Sequence, residues 1–178
     1  MFSFSKVLAF GLVALSSVRA IPFTQVSCSV DFGTSVGPTH AFNAVEPGFY
    51  LIINVATNTP VIASAENGEV GMAIEGRRPD DLGKWELKKA DQGGFKIYNV
   101  ALKDSPIWSS NGELFCGKFK EAETFAVEPA GPGVFNIKEV NRDDEWTVLD
   151  SSWPIPLLRL DESHGRKEQL WRLIPVPK

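Results

Sequence analysis

The chain has little of what most catalytic and metal sites are built from. Its two histidines, His40 and His164, and its two cysteines, Cys28 and Cys116, lie far apart, which excludes the clustered ligands of a zinc site. His164 sits in the acidic stretch 161–165, but no Gly-x-Ser-x-Gly elbow frames a serine nucleophile for it to serve. The run Asp143-Asp144-Glu145 lacks the regular spacing and the glycine of a calcium loop and reads as a solvated turn. Paired carboxylates can always be drawn among 22 acidic residues, and no pair stands out as the one glycoside chemistry needs. With no catalytic constellation, the chain reads as a non-enzyme that uses neither metal nor cofactor and binds a partner through its loops.

Positive charge is scarce too. Lys and Arg number 18 against 22 Asp and Glu, a formal net charge of −4. That balance argues against nucleic acid or an anionic membrane surface as partner, because both reward clustered cations. Arg77-Arg78 and Lys88-Lys89 are isolated pairs suited to turns or strand edges. Asn-x-Ser/Thr does not occur, so N-glycosylation is not expected. Helical periodicity is missing as well: no window offers a 3.6-residue apolar stripe with caps.

The one long apolar run, 7–18, follows a short segment carrying Lys6 and precedes Val18-Arg19-Ala20, small residues where a signal peptidase reads. It is shorter than the roughly 20 apolar residues of a membrane span. Residues 1–20 therefore read as a signal peptide and the protein as a secreted monomer. Residues 21–45 read as an irregular N-terminal extension broken by Gly33, Gly37 and Pro38, and 46–178 as the folded domain. In an oxidising compartment two lone cysteines pair most simply with each other, Cys28 with Cys116; the alternative is two buried or free thiols. The bridge would close a long loop and contribute on the order of 4 kcal/mol.

What the chain does have is repetition. Gly48-Phe49-Tyr50-Leu51-Ile52-Ile53-Asn54-Val55 returns as Gly94-Phe95-Lys96-Ile97-Tyr98-Asn99-Val100 and, more loosely, as Val134-Phe135-Asn136-Ile137-Lys138-Glu139-Val140. Tyr50, Phe95 and Phe135 fall in register, as do Ile52, Ile97 and Ile137. An aromatic-x-aliphatic signature closes each unit: Trp85-Glu86-Leu87, Phe125-Ala126-Val127 and Trp171-Arg172-Leu173. A period of roughly 40 to 46 residues marks repeated supersecondary units. Gly, Pro, Asn and Asp punctuate short alternating segments, so each unit reads as four strands. They fall at 49–56, 60–64, 71–75 and 84–89; at 95–101, 106–109, 114–117 and 124–128; and at 134–140, 146–150, 157–161 and 170–175. Three four-strand units make an all-β fold, a β-trefoil, whose six-stranded barrel and three-hairpin cap leave no open sheet edge. A β-sandwich would not account for the threefold repeat. Trp85, Phe125 and Trp171 are then equivalent core aromatics.

Two resemblances bear on function. Residues 47–176 resemble the fungal β-trefoil serine protease inhibitors, the mushroom trypsin inhibitors. The likeness is carried by Pro47-Gly48-Phe49-Tyr50, Lys84-Trp85-Glu86-Leu87, Gly93-Gly94-Phe95-Lys96-Ile97, Phe125-Ala126-Val127-Glu128-Pro129 and the close Glu168-Gln169-Leu170-Trp171-Arg172-Leu173-Ile174-Pro175-Val176. It implies a reversible inhibitor of serine endopeptidases whose protease-binding loop joins the second and third strands, here Ala63, Ser64, Ala65, Glu66 and Asn67. Residues 51–76 contain no Lys or Arg, so this loop has no cation for a trypsin-type pocket. Small Ala63, Ser64 or Ala65 suits an elastase- or subtilisin-like one, and Asn67-Gly68 reads as a turn. Leu102-Lys103-Asp104, between the fifth and sixth strands, offers an alternative basic loop. The third repeat also resembles the ricin-B-type lectins, whose repeats carry Gln-x-Trp: Gln169-Leu170-Trp171 matches, while 83–85 and 123–125 lack the Gln. That likeness implies a sugar site at Asp150 and Gln169 with Trp146 or Trp153 as the stacking aromatic.

Overall fold

Strands form where the sequence alternates, and the alternation sets which face is buried. In Gly48–Asn54 (β1) Ile52 and Asn54 are buried while Leu51 and Ile53 are half-buried on the opposite face, the period of two a pleated strand requires. The computed structural model describes residues 44–74, 76, 80–140, 142–149 and 156–177. The chain divides into two compact units, Met1–Pro38 and Thr39–Lys178. The first lies outside the described residues, as do the expected signal peptide, Cys28 and His40. The second unit continues with β2 (Val61–Ala63), β3 (Gly68–Met72), β4 (Lys84–Lys89), β5 (Phe95–Asn99), β6 (Ser105–Ser110), β7 (Glu113–Cys116), β8 (Thr124–Gly131), β9 (Val134–Glu139), β10 (Asp144–Val148), β11 (Leu158–Glu162) and β12 (Trp171–Pro175). Short 3-10 turns, Asp81–Gly83 and Lys167–Gln169, lead into β4 and β12.

Six strands close into an antiparallel ring in which β1 pairs with β4, β4 with β5, β5 with β8, β8 with β9, β9 with β12 and β12 with β1 again. The hairpins β2–β3, β6–β7 and β10–β11 form the cap. They are joined through β3–β7, β7–β11 and a bridge between Gly71 and Leu157. The protein is a β-trefoil. Trp85, Phe125 and Trp171 are buried at the same place in the three repeats, and Ile52, Ile97 and Ile137 are buried with them. Aromatic burial of this kind removes some 150–250 Å² per side chain from water.

Buried polar atoms are matched across the repeats as well. The indole of Trp85 donates to the Val61 carbonyl at 2.9 Å and that of Trp171 to the Trp146 carbonyl at 3.1 Å. Asn54 Nδ2 donates to Glu168 O at 2.9 Å, and Asn99 Nδ2 to Leu82 O at 2.8 Å, each side chain tying the end of a barrel strand to a 3-10 turn of another repeat. The third repeat has Glu139 at that position.

Two local expectations are corrected. The connection between β2 and β3 is shorter than the strand assignment implied, because β3 starts at Gly68 rather than 71. Glu145 is no part of a solvated turn: it lies in β10 and is fully buried, accepting from Asn136 Nδ2 at 2.8 Å and Ser163 Oγ at 2.9 Å, with Lys138 Nζ at 3.4 Å.

Candidate functional site

Ala63 ends β2 opposite Val70, and the alternation that buries Val61 buries Ala63 too, leaving it 0% exposed. It is a core residue and cannot enter a partner's pocket. Ser64, Ala65, Glu66 and Asn67 are exposed and form a tight turn rather than a long loop. The Ser64 hydroxyl donates to Glu69 O at 2.8 Å, the Gly68 amide donates to Ala65 O at 3.1 Å, and Asn67 takes φ +59°. A positive φ at the third position is the mark of a type II turn, and Asn tolerates it better than most residues.

Asn67 fastens this turn to its neighbour. Its amide donates to Cys116 O at 2.7 Å, and its Oδ1 accepts the amide of Phe119 at 3.1 Å. The approach is so close that a Cβ built on Gly117 would lie 2.2 Å from Asn67 Oδ1 and 2.4 Å from Asn67 N. Position 117 therefore has to be glycine for the two segments to meet.

The segment so gripped, 117–123, joins β7 to β8 and is braced at both ends. Gly117 N donates to Pro106 O at 2.9 Å and Glu123 N to Ile107 O at 3.1 Å, while Ser109 Oγ donates to Glu123 Oε1 at 2.9 Å. Lys120 Nζ donates to Ser109 O at 3.2 Å and lies 4.9 Å above the Trp108 ring, a cation–π contact. Trp108 in turn stacks on Phe115 with centroids 4.6 Å apart. Phe119 leans on the same Trp108 at 6.0 Å but stays 77% exposed. The turn and the segment are thus two exposed stretches held side by side, Glu66 in one and Lys118-Phe119-Lys120 in the other.

The alternative basic loop is built differently. Lys103 and Asp104 take φ +53° and +59°, so the backbone curls there instead of extending. Leu102 packs against the core, its amide donates to Asn99 Oδ1 at 3.1 Å, and its carbonyl accepts from Ser105 Oγ at 2.6 Å. Lys103 is exposed on this curled turn, as Ser64–Asn67 is on its own.

Cys116 is a free, buried thiol whose Sγ donates to Ser105 O at 3.4 Å. The inward face of β7 places this sulfur in the core, and Cys28, its expected partner, lies outside the described residues. Burial pushes the Cys116 thiol up to about 12, with a smaller push from the Glu66 carboxylate and an opposing backbone hydrogen bond.

Of the sugar-site residues expected in the third repeat, two are internal. Trp146 is fully buried, edge-on to Phe125 at 5.3 Å and to Trp171 at 6.1 Å, so it has no free face to stack on a ring. Gln169 is fully buried too: Nε2 donates to Thr147 Oγ1 at 3.0 Å and Glu162 O at 2.7 Å, and Oε1 accepts the His164 amide at 2.8 Å. Those bonds brace the hairpin beneath the Trp171 core position. Asp150 and Trp153 lie outside the described residues. A polar cavity of about 390 Å³ over β8 and β9 is lined by Glu128, Lys138, Glu139 and Arg142 among others. Its cations are already engaged by carboxylates: Lys138 with Glu128 at 3.4 Å, Arg142 with Glu139 at 3.4 Å. Burial, chiefly, holds the Glu139 carboxyl above the usual range, with Glu123 and Asp144 adding to it and Arg142 opposing.

The sequence reading passed over Lys118-Phe119-Lys120. The signal was present: an aromatic between two lysines, in the connection between two expected strands, in a chain short of cations.

No protein-family profile and no curated protein matches the chain. Solved structures do match. A designed three-fold symmetric protein, ThreeFoil, is 13% identical with a TM-score of 0.62, over 72% of this chain and 99% of that one. A proteinase inhibitor from Coprinopsis cinerea is 17% identical with a TM-score of 0.59, over 75% of this chain and 100% of its own. The Macrolepiota procera ricin B-like lectin, solved with lactose, is 14% identical with a TM-score of 0.61, over 75% and 100%. At these identities the likeness shows the β-trefoil fold, which inhibitor and lectin share.

Proposed function

We propose that the protein is a secreted inhibitor of serine endopeptidases that occludes the protease cleft with Ser64–Asn67 and the neighbouring 117–121 segment. In this reading residues 1–20 are the signal peptide and 21–45 an extension preceding the inhibitory domain. The observation that carries it is the pinning of two exposed segments to each other through Asn67, whose amide and side chain bond to Cys116 and Phe119. A protease cleft is concave, and an exposed stretch already held by hydrogen bonds loses little freedom on docking. Protease–inhibitor contacts bury about 1,600 Å² in total. A single four-residue turn is too small for that, and the adjoining 117–121 segment enlarges the exposed stretch. The shared fold of the Coprinopsis cinerea proteinase inhibitor supports the reading. In the competing lectin reading the burial of Trp146 leaves Trp153 as the stacking aromatic, and the buried Gln169 acts as a brace of the repeat.

The test is titration of the mature chain against trypsin, chymotrypsin, elastase and subtilisin. Stoichiometric inhibition of at least one, lost when Asn67 is replaced by Ala, is the expected result. No inhibition of any of the four, with specific binding on a glycan array, would replace the inhibitor by the lectin.

A further inference from the structure

We infer that Phe119 is the residue this protein inserts into its target, and that the target is a serine endopeptidase with a large apolar primary pocket of the chymotrypsin or subtilisin kind. The inference rests on the inhibitor reading and departs from it in placing the specificity residue on the β7–β8 segment instead of the β2–β3 turn.

Three observations converge on Phe119. The first is exposure. Among the described residues Phe119 is the most exposed large hydrophobic side chain, at 77% against 50% for Ile74 and 42% for Ile174. A lone exposed apolar residue is ordinary on a protein surface, so exposure alone decides nothing. The second is support. The Phe119 amide is held by Asn67, the next residue is anchored by Lys120 to Ser109 O and over Trp108, and the Phe119 ring leans on Trp108 without being covered by it. Exposed aromatics that merely lack neighbours are not built into position from below in this way. An aromatic fixed outward on a rigid base is the form that binding hot spots take, because its two side-chain torsions cost little to freeze.

The third observation is chemical contrast with the turn beside it. Ser64, Ala65 and Asn67 are small or polar, the side chains of Ser64 and Asn67 are committed to Glu69 O and to the Phe119 amide, and Ala63 is in the core. None of them can fill a deep pocket. Phe119 can, and the lysines on either side put positive charge around the point of entry in a chain of net charge −4, which favours a pocket with an acidic rim. A flat protein surface would need some 800 Å² of matched area on each side. A single projecting ring suits a concave apolar pocket instead. Because the Phe119 amide is already taken by Asn67, the contribution of this residue to a partner is its side chain.

The experiment compares wild type, Phe119→Ala, Phe119→Arg and, as a control on an exposed residue of β4, Lys89→Ala against chymotrypsin, subtilisin, elastase and trypsin, with thermal unfolding of each variant as a folding control. Wild type is expected to inhibit chymotrypsin or subtilisin in preference to trypsin. Phe119→Ala is expected to weaken that inhibition at least about 30-fold with an unchanged unfolding midpoint. Phe119→Arg is expected to move inhibition towards trypsin, and Lys89→Ala to leave it within about twofold of wild type. If wild type inhibits but Phe119→Ala does so within about threefold of it, the assignment of Phe119 is wrong while the inhibitor reading stands. If wild type inhibits none of the proteases, both fall together.

Discussion

Replacing Trp171 by Phe isolates one term in the stability of the barrel. Position 125, its counterpart in the second repeat, is Phe by nature, so a reading by sequence symmetry makes Trp171→Phe close to neutral. The structure makes it costly. Trp171 is fully buried, and its indole donates to the Trp146 carbonyl at 3.1 Å. Removing the donor leaves that buried carbonyl short of a partner, at about 1–3 kcal/mol. Losing roughly 40 Å² of buried ring adds about 1 kcal/mol of transfer free energy. The sum, about 2–4 kcal/mol, does not exceed the ~3–5 kcal/mol seen for truncating a buried Phe or Trp to Ala. For a domain of this size it amounts to a fall of about 6–14 °C in unfolding midpoint. Urea unfolding followed by circular dichroism reads it directly, with Trp85→Phe as a parallel case because its indole makes the matching bond to Val61 O. A loss below about 1 kcal/mol with an unchanged slope would mean that the position needs only an aromatic ring and the indole bond contributes nothing net.

Gly117→Ala is expected to destabilise the fold by about 1–3 kcal/mol through overpacking, because the new methyl meets the backbone of Asn67; a midpoint equal to wild type would show that the two segments part without cost. In Cys28→Ser chain, Cys116 is expected to react with a thiol reagent at pH 8 only after unfolding, since a thiol raised to about 12 is almost wholly protonated. Prompt reaction of the native protein would contradict its burial. Glu139 is held above the usual carboxylate range, so the folded chain binds its proton more tightly than the unfolded chain. Its contribution to stability therefore falls as pH rises from the unfolded value through the folded one and is lowest at neutral pH. Glu139→Gln is expected to flatten the stability profile on the alkaline side of the ordinary glutamate value; an identical profile would refute the assignment.

The barrel was legible because its information is local and repeated. Ile52, Ile97 and Ile137 keep one phase of the strand period, and an aromatic two residues before an aliphatic closes each unit, so the ring of strands could be read before any contact was known. The cap was legible as hairpins but less so in its details. The loop expected at 63–67 starts one residue too early, because the period of β2, with Val61 inward and Ile62 outward, points Ala63 into the core. Glu145 was misread for a non-local reason: three acidic residues in a row look solvated, and its partners Asn136, Lys138 and Ser163 come from other segments. The same limit hid the candidate site. Nothing within 63–70 says that Asn67 bonds to residue 119, and that bond turns two short loops into one surface.

The pairing of β1 with β12, from Tyr50 opposite Pro175 to Asn54 opposite Trp171, has a meaning for a protein proposed to work among proteases. Endopeptidases read a substrate as an extended strand laid along the cleft, and a sheet with a free edge offers one ready-made. Here β1 and β12 occupy each other's edges, so among the described residues the barrel strands are paired into a ring and offer no free edge. The molecule would then survive its target by topology: the segments it can present for inspection are those already knotted by their own hydrogen bonds.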